Sequence, residues 1–75
     1  MKARLEKCDP TKNVARYYQM SVLPNLFGEW TLRREWGRIG RGGQMRLDLF
    51  RSLLEAEDAL KSLTHAKEKH DYQIT

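Results

Sequence analysis

Fifteen residues from Trp30 to Gln44, WTLRREWGRIGRGGQ, hold two tryptophans, four arginines and four glycines. A guanidinium is a planar, permanently charged fork that matches phosphate or carboxylate and stacks on rings. An indole offers a broad flat face on which a sugar or base can stack. Glycine, with no Cβ, permits the tight turns that would present both. Trp36, Arg38 and Arg41 are therefore the first candidates for contact with a nucleic acid, with Arg33 and Arg46 as flanking support. Trp30, Gly37, Gly40, Gly43 and Gln44 are expected to build the motif rather than touch a ligand. Trp30 and Trp36 share one face of a strand, where tryptophans usually pack as core, but Trp36 ends that strand beside the glycines and has a route to solvent. The glycines are expected to serve backbone conformation, and Gln44 to bond backbone in the turn.

Other chemistries fit less well. No nucleophile–base pair and no carboxylate dyad stands out, so an enzyme is not expected. Cys8, His65 and His70 lack metal-ligand spacing, so no metal is expected. No Lys-Ser/Thr follows the glycines as in a P-loop, and Met45 stands where a dinucleotide fingerprint needs its last glycine, so no cofactor is expected. The run Ile39 to Met45 mimics the I-G-x-x-G loop with which KH domains clamp single strands. That loop joins two helices, whereas alternating segments flank it here.

Charge supports an anionic partner. Residues 1–51 carry eleven Lys/Arg against five Asp/Glu, while residues 52–75 carry three Lys against five acids. The formal net charge of +4 thus belongs to the first two-thirds, where Arg33, Arg34, Arg38, Arg41 and Arg46 cluster. Seventy-five residues with 40% hydrophobic content suit a single domain spanning 1–75, held by apolar packing because one cysteine cannot form an internal disulfide. No apolar run approaches the roughly 18 residues of a membrane span, and no signal-peptide core opens the chain. A reducing, cytoplasmic setting, with nucleoid association, is the corresponding expectation.

The elements that must position the motif follow from periodicity. Ala3–Cys8 alternates weakly as a first strand, and Asp9-Pro10-Thr11-Lys12-Asn13 is turn chemistry. Val14–Val22 alternates with Val14, Tyr18, Met20 and Val22 on one face, completing a hairpin. Arg16 shares that face and is expected near the solvent end or paired with Glu6. Leu23–Glu29 is a connection whose Leu26 and Phe27 are expected to fold over the sheet edge. Strands from Trp30 to Trp36 and from Gln44 to about Phe50 flank the glycine turn. Either Trp30, Leu32 and Trp36 or the alternate set faces the core. Ser52 and Glu55 form a capping box, opening a helix to about Lys69 whose stripe is Leu53, Ala56, Leu60, Leu63 and Ala66 or Lys67, with Ala59 beside it. Tyr72 and Ile74 either add a short last strand or pack across the helix end. The expected class is α+β: an antiparallel sheet of four to five strands with one long C-terminal helix packed on one face.

With Trp30, Trp36, Gly37, Arg38, Ile39, Gly40, Gly43 and Gln44 together, the chain resembles the WGR domain family. The likeness runs from about Lys7 to Tyr72, through the Tyr17-Tyr18 strand and an A-x-x-A-L helix at Ala56, Ala59 and Leu60. It departs at Asp71, where the family often has glycine. The resemblance implies the same antiparallel sheet and helix. In poly(ADP-ribose) polymerases the similar domain helps recognise DNA ends, its tryptophan stacking on a terminal sugar and its arginine linking neighbouring domains. Carried over, Trp36 would stack and Arg38 would contact either nucleic acid or another protein. The resemblance further implies a stand-alone, bacterial-type protein, with no polymerase activity to inherit. The expected function is a non-catalytic DNA-binding module for ends or nicks. The alternative is an adaptor docking a larger DNA-processing protein, using Leu26, Phe27 and Arg38.

Overall fold

Alternating side chains in the first fifty residues produce four strands: β1 (Lys2–Asp9), β2 (Val14–Pro24), β3 (Trp30–Arg38) and β4 (Gln44–Phe50). A helix, α1 (Leu53–Glu68), and a two-residue strand, β5 (Gln73–Ile74), complete the chain in a computed structural model that describes residues 1–75. The sheet is antiparallel throughout, in the order β4-β3-β2-β1-β5. The first four strands form a simple meander. The helix then crosses one face from the β4 edge, so that β5 pairs with β1 at the other edge, Leu5 opposite Ile74. The two expectations for the last residues are divided between them: Ile74 lies in the short strand, while Tyr72 packs against the core at the helix end.

The register resolves which face is core. Leu5 lies opposite Tyr18, which lies opposite Trp36, and Val22 lies opposite Leu32. This face meets the helix: Leu5, Tyr18, Met20, Val22, Leu32, Ala56 and Leu60 form the buried cluster, with Trp30, Trp36, Phe50, Ala59, Leu63 and Tyr72 packed around it. Leu5 and Leu32 are the largest side chains wholly removed from water, each contributing about 1.5–3 kcal/mol by burial. Within the expected helix stripe Leu53 is exposed, and of Ala66 and Lys67 it is Lys67 that is half-buried, because the helix meets the sheet through Ala56, Ala59, Leu60 and Leu63.

Local signals hold at the turns. The Asp9 carboxylate accepts hydrogen bonds from the Thr11 amide (3.1 Å) and hydroxyl (2.6 Å), and Asn13 takes the left-handed conformation with φ 54°. The Ser52 hydroxyl accepts from the Glu55 amide at 3.1 Å, but Glu55 makes no return bond, so only half of the capping box forms. At the helix end the amides of Asp71 and Tyr72 donate to the carbonyls of Glu68 and Lys67, the paired bonds of a Schellman motif. Asp71 occupies its left-handed position, φ 69°, which accounts for the glycine that the WGR pattern has there.

One expectation needs correction here. Leu26 and Phe27 do not fold over the sheet but project from the β2–β3 turn, 98% and 84% exposed. The Asn25 side chain takes the amides of Phe27 and Glu29 at 2.9 Å, and this holds the turn apart from the sheet. Of the two expectations for Arg16 the solvent end is the one realised: the residue is exposed, while Glu6 lies on the opposite face and is engaged by Arg4 at 3.0 Å.

Candidate nucleic-acid interface

β3 carries Trp36 to the end of the helix-covered face. Its ring stacks on Tyr18, with centroids 5.7 Å apart and planes 15° from parallel, and the residue stays partly exposed. The ammonium of Lys67, from the last turn of α1, sits 4.5 Å from the Tyr18 ring centroid and 5.4 Å from that of Tyr72. An aromatic and cationic cluster thus adjoins Trp36 through Tyr18.

One row further along the strands, the register places Lys7 opposite Arg16 and Arg16 opposite Arg38, on the same face as Trp36. None of the three has a carboxylate within ion-pair distance. Like charges directly opposite on adjacent strands are destabilising, and no internal anion offsets this row. Arg38 is nevertheless oriented: its guanidinium donates to the backbone carbonyl (3.3 Å) and side-chain oxygen (3.1 Å) of Asn13. The β1–β2 turn therefore braces the motif arginine from 25 residues away in sequence.

The remaining candidates are distributed differently. Arg41 lies exposed in the β3–β4 turn, where its amide donates to the Arg38 carbonyl at 3.1 Å, and it has no ion-pair partner. Arg46 is on the Trp36 face, but its guanidinium is paired with Asp48 at 3.0 Å. Arg34, facing it across the strands, also holds Asp48 (2.9 Å) and donates to the Tyr18 hydroxyl (3.3 Å). Arg33 is on the opposite face, between Glu35 and the sulfur of Met45, apart from Trp36. Lys7, Arg16 and Lys67 join the site although the sequence motif omits them. The signal for Lys7 and Arg16 was strand parity, since they share a face with Leu5 and Tyr18, and that for Lys67 was its place in the helix stripe.

Space, more than torsion, explains the glycines. A Cβ on Gly43 would strike the Trp36 carbonyl and lie 2.7 Å from the Tyr17 hydroxyl, and one on Gly37 would lie 2.8 Å from the Gly43 Cα. Gly40 alone among the motif glycines has a positive φ, 84°. The Gln44 side chain is exposed and makes no hydrogen bond, contrary to its expected role in the turn. Trp30 packs against the core as expected.

Comparison with known proteins gives the family. The family model of the WGR domain matches residues 1–75. An uncharacterized protein y4dW of Sinorhizobium fredii is 45% identical over 69 residues, which are 92% of this chain and 34% of that relative. The chain therefore spans about a third of that relative's length. With the Trp36-Gly37-Arg38 tripeptide at the head of its β3–β4 turn, the chain belongs to the WGR domain family.

Proposed function

We propose that this chain is a non-catalytic nucleic-acid-binding module that recognises DNA at ends or nicks. The observation that carries this is the row Lys7–Arg16–Arg38 beside the partly exposed Trp36, three cations without an internal counter-ion. In this role Trp36 stacks on the sugar or base exposed at a strand terminus. Arg38, pre-oriented by Asn13, takes the neighbouring phosphate, and Arg41 and Arg46 follow the backbone on either side. Arg33, on the opposite face, lies apart from this path. The use of WGR domains for DNA-end recognition in poly(ADP-ribose) polymerases supports the same function here.

Titration of nicked and blunt duplexes against closed circular DNA, followed by tryptophan fluorescence, tests the proposal. Trp36→Ala should weaken end binding by roughly 1–3 kcal/mol, the measured scale of aromatic stacking on a base. With three to five phosphates neutralised, raising salt from 50 to 200 mM should lower affinity on the order of 10²-fold. Equal affinity for Trp36→Ala and wild type, with no salt dependence, would refute it. One observation favours a second function, an adaptor for a larger DNA-processing protein: the two apolar side chains Leu26 and Phe27 held out on an ordered turn. A stoichiometric, salt-insensitive protein complex that survives nuclease and is lost in Leu26→Ser/Phe27→Ser would establish that function instead.

A further inference from the structure

Strand β4 is the long free edge of the sheet, since the opposite edge is the two-residue β5. Free edges are normally blunted by charged side chains, lysine above all, by proline, by a bulge or by a covering element. The only charges on β4 are Arg46 and Asp48, of opposite sign. β4, with sequence QMRLDLF, has no lysine and no proline, and all seven of its residues pair in unbroken register with β3. On the face away from the helix it bears Met45, Leu47 and Leu49, which are 54%, 55% and 61% exposed. An edge of unpaired backbone flanked by three apolar side chains is a template for another strand.

The sequence of the strand says which one. About Leu47 it reads Met45, Arg46, Leu47, Asp48, Leu49: apolar residues placed symmetrically and charges placed antisymmetrically. A two-fold axis through Leu47 pairs the strand with its own copy in antiparallel sense. Leu47 then meets the second Leu47, Met45 meets Leu49, and each Arg46 meets the Asp48 of the other chain. Like charges never face each other. A parallel pair, or a one-residue slip, loses this match.

We propose that the protein forms a symmetric dimer through β4, joining two five-stranded sheets into one of ten strands. The axis stands perpendicular to the sheet, so both helices and both Trp36 faces emerge on the same side. Trp36 lies opposite Gln44, three residues from the axis. With about 3.3 Å per residue and about 4.8 Å between strands, the two Trp36 residues stand about 25 Å apart. The proposal does not depend on nucleic-acid binding, and its test reads association alone.

Sedimentation equilibrium at high micromolar concentration should give twice the 8.9 kDa chain mass. Leu47→Lys, which sets two ammonium groups face to face, should sediment as a monomer with an unchanged far-UV spectrum. Arg46→Asp should also dissociate the dimer, and Arg46→Asp/Asp48→Arg should restore it. Should Leu47→Lys unfold, cross-linking in a Cys8→Ser background decides. Leu47→Cys places two thiols on Cα atoms about 4.5–5.5 Å apart, within reach of a disulfide. Met45→Cys separates them by about 13 Å along the strands, out of reach. Mild oxidation should therefore link Leu47→Cys and not Met45→Cys. A monomeric wild type, a dimeric Leu47→Lys, no rescue by the charge swap, or equal cross-linking at both positions would overturn the proposal. So would an edge that pairs only with the strand of a different protein.

Discussion

Replacing Gly40, Gly42 and Gly43 in turn by alanine separates the two reasons a turn uses glycine. At Gly43 the added methyl has nowhere to go. It meets the carbonyl of Trp36, a backbone group fixed by the β3–β4 ladder, and comes within 2.7 Å of both the Trp36 carbonyl carbon and the Tyr17 hydroxyl. Overpacking against movable side chains costs about 1–3 kcal/mol. Because the obstacle here is backbone, Gly43→Ala should cost about 3 kcal/mol or more. In a domain of this size each kcal/mol shifts the melting temperature by about 4–8 °C, so a fall of at least about 12 °C is expected by far-UV circular dichroism. Gly42 meets nothing within 4 Å and has no positive φ. Gly42→Ala should be neutral or stabilise by about 0.4–1 kcal/mol through the unfolded chain. Gly40→Ala, with open space but φ 84°, should fall between them at about 1–2 kcal/mol. Adding Tyr17→Phe should not rescue Gly43→Ala, since it leaves the Trp36 carbonyl in place. If Gly43→Ala melts within ~4 °C of Gly42→Ala, less than the shift from 1 kcal/mol, chain-on-chain contact is not why the motif carries that glycine.

Other perturbations probe the scaffold. Leu32→Ala removes a side chain with 1% exposure at the centre of the core and should cost about 2–5 kcal/mol in urea unfolding. Asp71→Gly relieves a left-handed L-residue and removes a carboxylate from a helix C-terminus; it should raise stability by about 0.5–1 kcal/mol. Asp48→Ala frees both Arg34 and Arg46, and with Arg34 only 16% exposed it should cost about 1–3 kcal/mol. Arg46→Ala, which leaves the Arg34–Asp48 pair intact, should cost less than about 1 kcal/mol, and thermal melts compare the two.

Strand alternation, the Ser52 cap and the Asp9–Asn13 turn were legible in the sequence because each is a local pattern with a local cause. The meander of the first four strands follows from their short connections, whereas the place of β5 beside β1 depends on the helix crossing the sheet. Which face of β3 is core was not legible, since Trp30, Leu32 and Trp36 alternate with residues that could equally have faced a second layer. It is settled by the pairing of Leu5, Tyr18 and Trp36 across three strands. For the same reason the candidate arginines divide. Arg33 and Arg34 are neighbours in sequence, yet they stand on opposite faces, and Arg34 is drawn to Asp48 and Tyr18. Lys7 and Arg16 became visible as part of a row with Arg38 only through the register. Leu26 and Phe27 escaped the expected burial because Asn25 closes its turn on the amides of Phe27 and Glu29, and no sheet surface lies beneath.

The pairing of β5 with β1 has a consequence for the architecture of larger proteins. The amide of Thr75 donates to the carbonyl of Arg4 at 3.0 Å, which brings the last residue alongside the fourth. Met1 is three residues from Arg4, so the two ends of the chain lie about 11 Å apart at strand spacings. A host loop could carry this fold as an insert with no long spacer on either side. By the same proximity, a short glycine linker joining Thr75 to Met1, with the chain reopened between Leu26 and Phe27, should yield a circular permutant that folds. The meander would be cut at its most exposed turn, and every ladder of the sheet would survive.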